Sequence, residues 1–145
     1  MVRSLEGKHP NYFEAIIQIR EASQEVIDFV ENSNVLIVDE KTVKNGFDYF
    51  LADNNQARAL GKQLQSKFGG ELTTTSSLHT RKDGKELYRV TILFRPAHFK
   101  RGQEVEYQGD AYKVKAMAKD IFLQDIKTGK KVHVKYKDMK KLKPL

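Results

Sequence analysis

The chain has 145 residues, of which 39% are hydrophobic and 10% aromatic, enough apolar material for one ordinary domain or two small ones. It contains no cysteine, which excludes disulfides, thiol nucleophiles, thiolate-bound zinc and iron–sulfur clusters. No apolar run is long enough for a membrane span, so we expect a cytoplasmic protein without a membrane partner. The 26 basic and 19 acidic residues give a net charge of +7, which favours a polyanionic partner.

The first two thirds of the chain predict a mixed α/β domain. Period-two alternation indicates strands, and apolar residues at spacings of three and four indicate helices. The predicted elements, in chain order, are a strand at 12–20, a helix at 21–32, strands at 35–38 and 46–52, a helix at 53–68, and a hairpin of 71–80 and 86–95 around Lys82–Lys85. This order predicts an α+β fold, a ferredoxin-like split βαββαβ sandwich with one extra strand and both helices on one sheet face. The expected core residues are Ile17, Ile19, Leu60, Leu64, Val90 and Ile92, with Tyr88 and Phe94 on the same inward face.

The last third predicts a different, all-β module. Glycines punctuate short alternating runs at 104–108, 112–117, 121–126 and 132–136, which indicates a small Src-homology-3-like β-barrel. Residues 1–98 carry 13 basic and 13 acidic side chains, whereas residues 99–145 carry 13 and 6, so the whole excess of +7 lies in the last third. Such a charge step is typical of a domain boundary, and we therefore predict domains at 1–98 and 99–145.

The sequence offers no recognisable catalytic or cofactor motif. It has no glycine-rich phosphate loop, no nucleophile elbow and no pair of carboxylates in an evident cleft. The four histidines, His9, His79, His98 and His133, are dispersed and lack partners at metal-ligand spacing. We therefore expect no enzyme activity, no metal, no cofactor and no small-molecule substrate.

Two short motifs resemble functional ones but depart from them. Gly46–Phe50 lies on the third predicted strand, where RNA-recognition motifs carry stacking aromatics, but Asn45, Asp48 and Ala52 break that pattern. We expect Phe47 and Tyr49 to pack in the core. Lys127–Lys130 is similar to the loop of hypusine-bearing translation factors, but the His-Gly that follows there is absent, so a plain hairpin turn is expected.

The lysine excess is the strongest functional signal. Unpaired lysine is costly to bury, so these side chains must lie mostly outward, either as a solvated surface or as phosphate contacts. In residues 99–145 there are twelve lysines and one arginine, which favours neutralisation of phosphate charge over recognition of bases. The predicted contacts to RNA phosphates are Lys113, Lys115, Lys130, Lys131 and Lys135, extended by Arg20, Arg89 and Arg95 on the open sheet face of the first domain.

Three blocks of sequence also resemble a known family. The first block is 11–20, the second is 46–51 followed by 56–58 and Gly69–Leu72, and the third is 87–92. These blocks resemble, in the same order, the central region of the Nmd-three family, adaptors that bind nascent large ribosomal subunits. The resemblance covers most of 11–95, and a barrel at 99–145 fits the next module of that family. It implies a role in large-subunit assembly or quality control.

The chain departs from that family in lacking the paired Cys-x-x-Cys zinc motifs, the acidic tail and the leucine-rich export signal. The resemblance therefore implies either a fragment without its zinc module or a reduced member, with the simpler archaeal form the closer match.

These observations predict a monomeric, non-catalytic factor whose partners are the large ribosomal subunit, its rRNA phosphates and ribosomal proteins. The alternative is a protein-interaction adaptor whose barrel binds an acidic protein or peptide. An enzyme of unrecognised type is the third possibility, and no residue pattern supports it.

Overall fold

The computed structural model of the chain describes residues 12–82 and 85–145. These residues form two helices, one short 3₁₀ helix and ten strands. In chain order the elements are β1 Ala15–Arg20, α1 Gln24–Glu31, β2 Ile37–Val43, β3 Gly46–Leu51, α2 Asn54–Phe68, β4 Gly70–Lys82, β5 Lys85–Pro96, β6 Glu104–Tyr107, β7 Asp110–Met117, β8 Ile121–Asp125, β9 Lys131–Val134, the 3₁₀ helix Tyr136–Lys141 and β10 Lys143–Pro144. The predicted turn at 83–84 lies outside the described residues.

The first sheet has the strand order β2-β3-β1-β5-β4. β1 pairs with β3 in antiparallel and with β5 in parallel orientation, and β4 pairs only with β5. The α+β class is therefore confirmed, but the ferredoxin-like arrangement is not. The strand that follows α2 lies at the sheet edge, and the extra strand β5 takes the place beside β1.

Both helices begin after a residue whose side chain caps the helix N-terminus, and α2 ends at a glycine. The Ser23 side chain accepts a hydrogen bond from the Val26 N–H, and the Asp53 carboxylate accepts one from the Asn55 N–H at 2.7 Å. α2 ends at Gly69, whose φ of +73° is a backbone conformation that glycine adopts without steric cost.

The helices cover one face of the first sheet and enclose its core. Alternate residues of the strands point into this core, because side chains of a strand alternate between the two faces. The six predicted core residues are all buried, and so is Phe94. Tyr88 is a correction, since it is 45% exposed; it lies beyond the helix-covered part of β5. The main buried residues are Ala15, Ile17, Ile19, Val26, Val30, Tyr49, Leu51, Leu60, Leu64, Val90, Ile92 and Phe94.

The second sheet has the order β10-β6-β7-β8-β9 and its own buried cluster. Every neighbouring pair in it is antiparallel. No pairing of β9 with β10 closes the sheet among the described residues, so a Src-homology-3-like barrel is not confirmed. The cluster is formed by Phe99, Val105, Tyr112, Val114, Ile121, Leu123, Val134, Tyr136, Met139 and Leu142.

The two sheets meet near Gly69. The Ala97 N–H donates to the Gly69 carbonyl at 3.0 Å, and a Cβ at Gly69 would lie 2.5 Å from Cε of Met117. The hydroxyl of Tyr136 is buried close to the backbone of Gly70 and has no hydrogen-bond partner among the described residues. The division into domains at 98/99 stays a prediction.

Candidate nucleic-acid interface

The outer face of the second sheet carries a row of polar side chains that crosses four strands. Lys113 on β7 lies opposite Glu104 on β6 and Gln124 on β8, and Gln124 lies opposite Lys131 on β9. Lys113 and Lys131 are exposed, whereas their neighbours Val114 and Val132 point to the inner side. The register therefore brings two of the predicted lysines to either side of Gln124 on one surface.

Lys115 is two residues beyond Lys113 on β7, a spacing that places both side chains on one side of a regular strand, and a β-bulge falls at this point. The β7–β8 register shifts between Val114 and Ala116, so Lys115 is the extra residue in the pairing. A bulge bends its strand and redirects the side chain that it carries. Lys115 is exposed, as is Lys135, which follows β9.

The β8–β9 hairpin places Lys130 at its tip and is held in shape by Asp125. The Asp125 carboxylate accepts hydrogen bonds from the backbone N–H groups of Lys127 at 2.7 Å and Thr128 at 3.0 Å. The backbone hydrogen bond from Thr128, together with that from Lys127, lowers the pKa of Asp125 against the opposing effect of desolvation. The Asp125 N–H donates to the Lys130 carbonyl at 2.8 Å, and Gly129 takes a φ of +75° in the turn. These hydrogen bonds fix the conformation of the hairpin turn, on which Lys127 and Lys130 are exposed.

An aromatic pair stands in the next row of the same face. Phe122 on β8 lies opposite His133 on β9, and their ring centroids are 4.4 Å apart at an interplanar angle of 73°. Sequence reasoning missed both residues as site residues. Their alternation with buried Ile121, Leu123 and Val134 was the available signal, because it assigns both rings to the outer face. Rings among lysines are typical of surfaces that bind single-stranded nucleic acid.

We name the outer face of the second sheet the lysine face. It consists of Glu104, Glu106, Lys113, Lys115, Phe122, Gln124, Lys130, Lys131, His133 and Lys135.

The three predicted arginines lie in the first sheet, and each is engaged by a partner. Arg20 forms an ion pair with Asp48 at 2.7 Å, and Arg95 pairs with Glu71 at 3.5 Å. The Arg89 guanidinium lies 3.9 Å from the centre of the Phe13 ring, and its Nε–H donates to the Phe13 carbonyl. Their role in binding RNA stays a prediction, but the carboxylates offset much of the positive charge that Arg20 and Arg95 add to this face.

The aromatics of the Gly46–Phe50 motif pack as expected. Tyr49 is 1% exposed and Phe47 packs against the core, with their rings stacked at a centroid distance of 6.1 Å. Burial raises the pKa of Tyr49 to about 12, with nearby Glu31 and Glu40 adding to the effect. A ring in this position cannot stack on a base without unfolding the core.

The described residues contain neither a cluster of metal ligands nor a membrane-spanning helix. Within 12–82 and 85–145, no three histidine or carboxylate side chains come together closely enough to hold a metal ion. His9 and the side chain of His79 lie outside the described part, and the expectation of no metal or cofactor stays a prediction. No helix in these ranges has the length and apolarity that crossing a membrane requires.

The described residues thus form a mixed α/β unit followed by a basic β-sheet. The family model described as "NMD3, second domain" matches residues 12–95, which is more than half of the chain. The chain therefore belongs to the NMD3 family, which is the family that the three sequence blocks resemble. Membership of this family implies a role in the biogenesis of the large ribosomal subunit. Residues 96–145 lie beyond the match. No curated protein matches the chain.

Proposed function

We propose that the protein is a non-catalytic factor that binds the large ribosomal subunit through contacts of the lysine face with rRNA phosphates. The observation that carries the proposal is the cross-strand row that brings Lys113 and Lys131 together, beside the hairpin that presents Lys130. Ribosomal protein contacts, a monomeric state and a cytoplasmic location belong to the same proposal, as does the archaeal type of the chain.

The physical basis is neutralisation of the phosphate backbone. Each lysine that contacts a phosphate releases condensed counterions, so binding weakens with salt by a slope of about 0.7–0.9 per contact. Lysine is suited to this task because its ammonium is a compact charge on a flexible stem and needs no fixed geometry. The face carries five lysines against two carboxylates, Glu104 and Glu106, which are exposed on either side of buried Val105 on β6.

The test is co-sedimentation of the intact chain with isolated large subunits over a range of salt concentrations. The double variant Lys130→Glu, Lys131→Glu should bind more weakly and should reduce the salt slope by about 1.5, because two phosphate contacts are lost. Both side chains are exposed, so the melting temperature should stay close to that of the parent.

A matched control is available in the same sheet region. Lys140 and Lys141 are also adjacent, exposed lysines, but they lie in the 3₁₀ helix outside the lysine face. Lys140→Glu, Lys141→Glu changes the net charge by the same amount and should leave most of the slope intact. An equal loss of subunit binding in the two double variants would mean that binding follows net charge alone. Unchanged binding in the Lys130, Lys131 variant would refute the proposed role of the lysine face.

The alternative function, a protein adaptor, differs in its response to nuclease. An RNA contact is lost from a pull-down of ribosomal particles after nuclease treatment, whereas a direct protein contact is kept. Retention after nuclease together with full binding by the Lys130, Lys131 variant would support the adaptor over the RNA-binding factor.

A further inference from the structure

A groove of about 850 Å³ lies between α1 and α2, on the side of the first sheet that the helices cover. It is lined by the buried side chains of Val35 and Leu60 and by the rings of Phe29 and Phe68, whose centroids are 5.7 Å apart. Its size is within the usual range of ligand and peptide sites. The groove is distinct from the lysine face, and the proposed RNA function makes no use of it.

The walls of the groove are fixed by hydrogen bonds. The Gln56 side-chain carbonyl accepts from the Leu36 N–H at 3.0 Å, which ties α2 to the segment that enters β2. The Asn32 side chain donates to the Asp28 carbonyl at 2.9 Å and secures the end of α1. The groove is therefore a built feature between anchored elements.

The charge of this region is opposite to that of the rest of the protein. Residues 21–40 contain six carboxylates and no lysine or arginine, in a chain whose net charge is +7. Two of these carboxylates, Glu25 and Asp28, are exposed on the groove wall. Among the residues that line the groove the cation is Lys67, whose Nζ lies 5.4 Å from the Phe29 ring centre and 5.8 Å from that of Phe68. Glu25 also lines an adjacent depression with Lys100 and Arg101, so Asp28 is the carboxylate farther from the basic second sheet. An ammonium held over two rings offsets these carboxylates only in part.

We propose that this groove docks an amphipathic helix of a protein partner that carries lysine or arginine beside an apolar anchor. The apolar lining takes the anchor, in the manner of helix-in-groove recognition. Glu25 and Asp28 take the basic side chains, and this charge complementarity excludes nucleic acid, whose phosphates these carboxylates repel. The protein therefore has two surfaces of opposite charge, one for a polyanion and one for a basic helix.

The probe is a fluorescein-labelled peptide of leucine, phenylalanine and lysine patterned as an amphipathic helix, with a matched peptide in which glutamate replaces every lysine. Fluorescence anisotropy with the full chain should show binding of the lysine peptide and little binding of the glutamate peptide. The variant Glu25→Lys, Asp28→Lys should weaken the lysine peptide by about tenfold, since two ion pairs become two repulsions, and should strengthen the glutamate peptide.

Two further variants separate the groove from general electrostatics. Glu31→Lys, Glu40→Lys makes the same charge change at exposed residues outside the groove lining, and it should have much less effect. Ala59→Arg places a bulky cation on the exposed α2 wall and should block the lysine peptide while the melting temperature stays near that of the parent.

Several results would overturn the proposal. They are failure of the lysine peptide to bind the parent, equal weakening by the two double variants, and tight binding by Ala59→Arg. Concentration-dependent dimerisation of the parent that Glu25→Lys, Asp28→Lys abolishes would assign the groove to a second copy of the chain. None of these measurements involves ribosomes or RNA. A negative result would therefore reject the groove proposal without affecting the proposal for the lysine face, which has its own test.

Discussion

Removal of the Tyr49 hydroxyl tests whether the motif on β3 is a structural core element or a base-stacking site. Tyr49 is 1% exposed and its pKa is raised to about 12, chiefly by burial. In the unfolded chain the hydroxyl titrates at the ordinary tyrosine pKa of about 10. A group whose pKa is higher in the folded state stabilises the fold fully below the unfolded pKa, and this contribution is lost as the pH rises through the folded pKa.

The expected loss follows from the two pKa values. Between pH 10 and pH 12 the free energy of unfolding falls because the unfolded chain releases the Tyr49 proton first. At pH 11.5 the loss is about 2 kcal/mol, out of a limit of about 2.7 kcal/mol for a difference of two units. The variant Tyr49→Phe cannot titrate, so it should lack this part of the alkaline loss.

The measurement is urea unfolding of the parent and of Tyr49→Phe at pH 9 and pH 11.5. The parent should lose about 2 kcal/mol more than the variant between the two pH values, since lysine titration affects both proteins alike. Tyr88→Phe changes a tyrosine that is 45% exposed and serves as the control that should keep the parent's behaviour. An equal alkaline loss in the parent and in Tyr49→Phe would refute the burial of this hydroxyl and reopen the stacking role.

Two further substitutions test the hairpin and the junction of the sheets. Asp125→Ala removes the acceptor for the N–H groups of Lys127 and Thr128, so the protection factors of these amides against hydrogen exchange should fall and subunit binding should weaken. In the parent, the same protection factors should fall as the pH drops through the lowered pKa of Asp125. Gly69→Ala forces an alanine to a φ of +73° and a ψ of 142°, a conformation that residues with a Cβ rarely adopt, so it should lower the free energy of unfolding by about 1–3 kcal/mol in thermal or urea unfolding.

The sequence predicted the elements of the fold better than their arrangement. The alternation of Ala15, Ile17 and Ile19 and the spacing of Leu60 and Leu64 are local signals, and the structure has the corresponding strand and helix in place. The first helix begins at Gln24, three residues later than its predicted start at 21. The position of β5 between β1 and β4 is set by long-range pairing, for which a single sequence carries no direct signal. The arrangement of the second sheet was missed for the same reason, because closure into a barrel depends on long-range pairing between its two edge strands, β10 and β9.

The candidate site shows the same division between local and long-range information. The exposure of Lys113 and Lys131 follows from their alternation with Val114 and Val132, but their position on either side of Gln124 depends on the register of β7, β8 and β9. The ion pair of Arg20 with Asp48 joins residues 28 positions apart. No spacing rule could have shown that this predicted contact already has a carboxylate partner.

The separation of charge along the chain provides a way to tell its two proposed contacts apart. Binding of the lysine face to RNA releases condensed counterions, so its affinity should fall steeply with salt, by about 0.7–0.9 in slope for each contact. A basic helix at Glu25 and Asp28 displaces no such ion atmosphere, because a short peptide has no condensed counterions, and only ordinary screening weakens its ion pairs. A partner protein that stays bound at a salt concentration that strips the RNA would therefore be held by the groove.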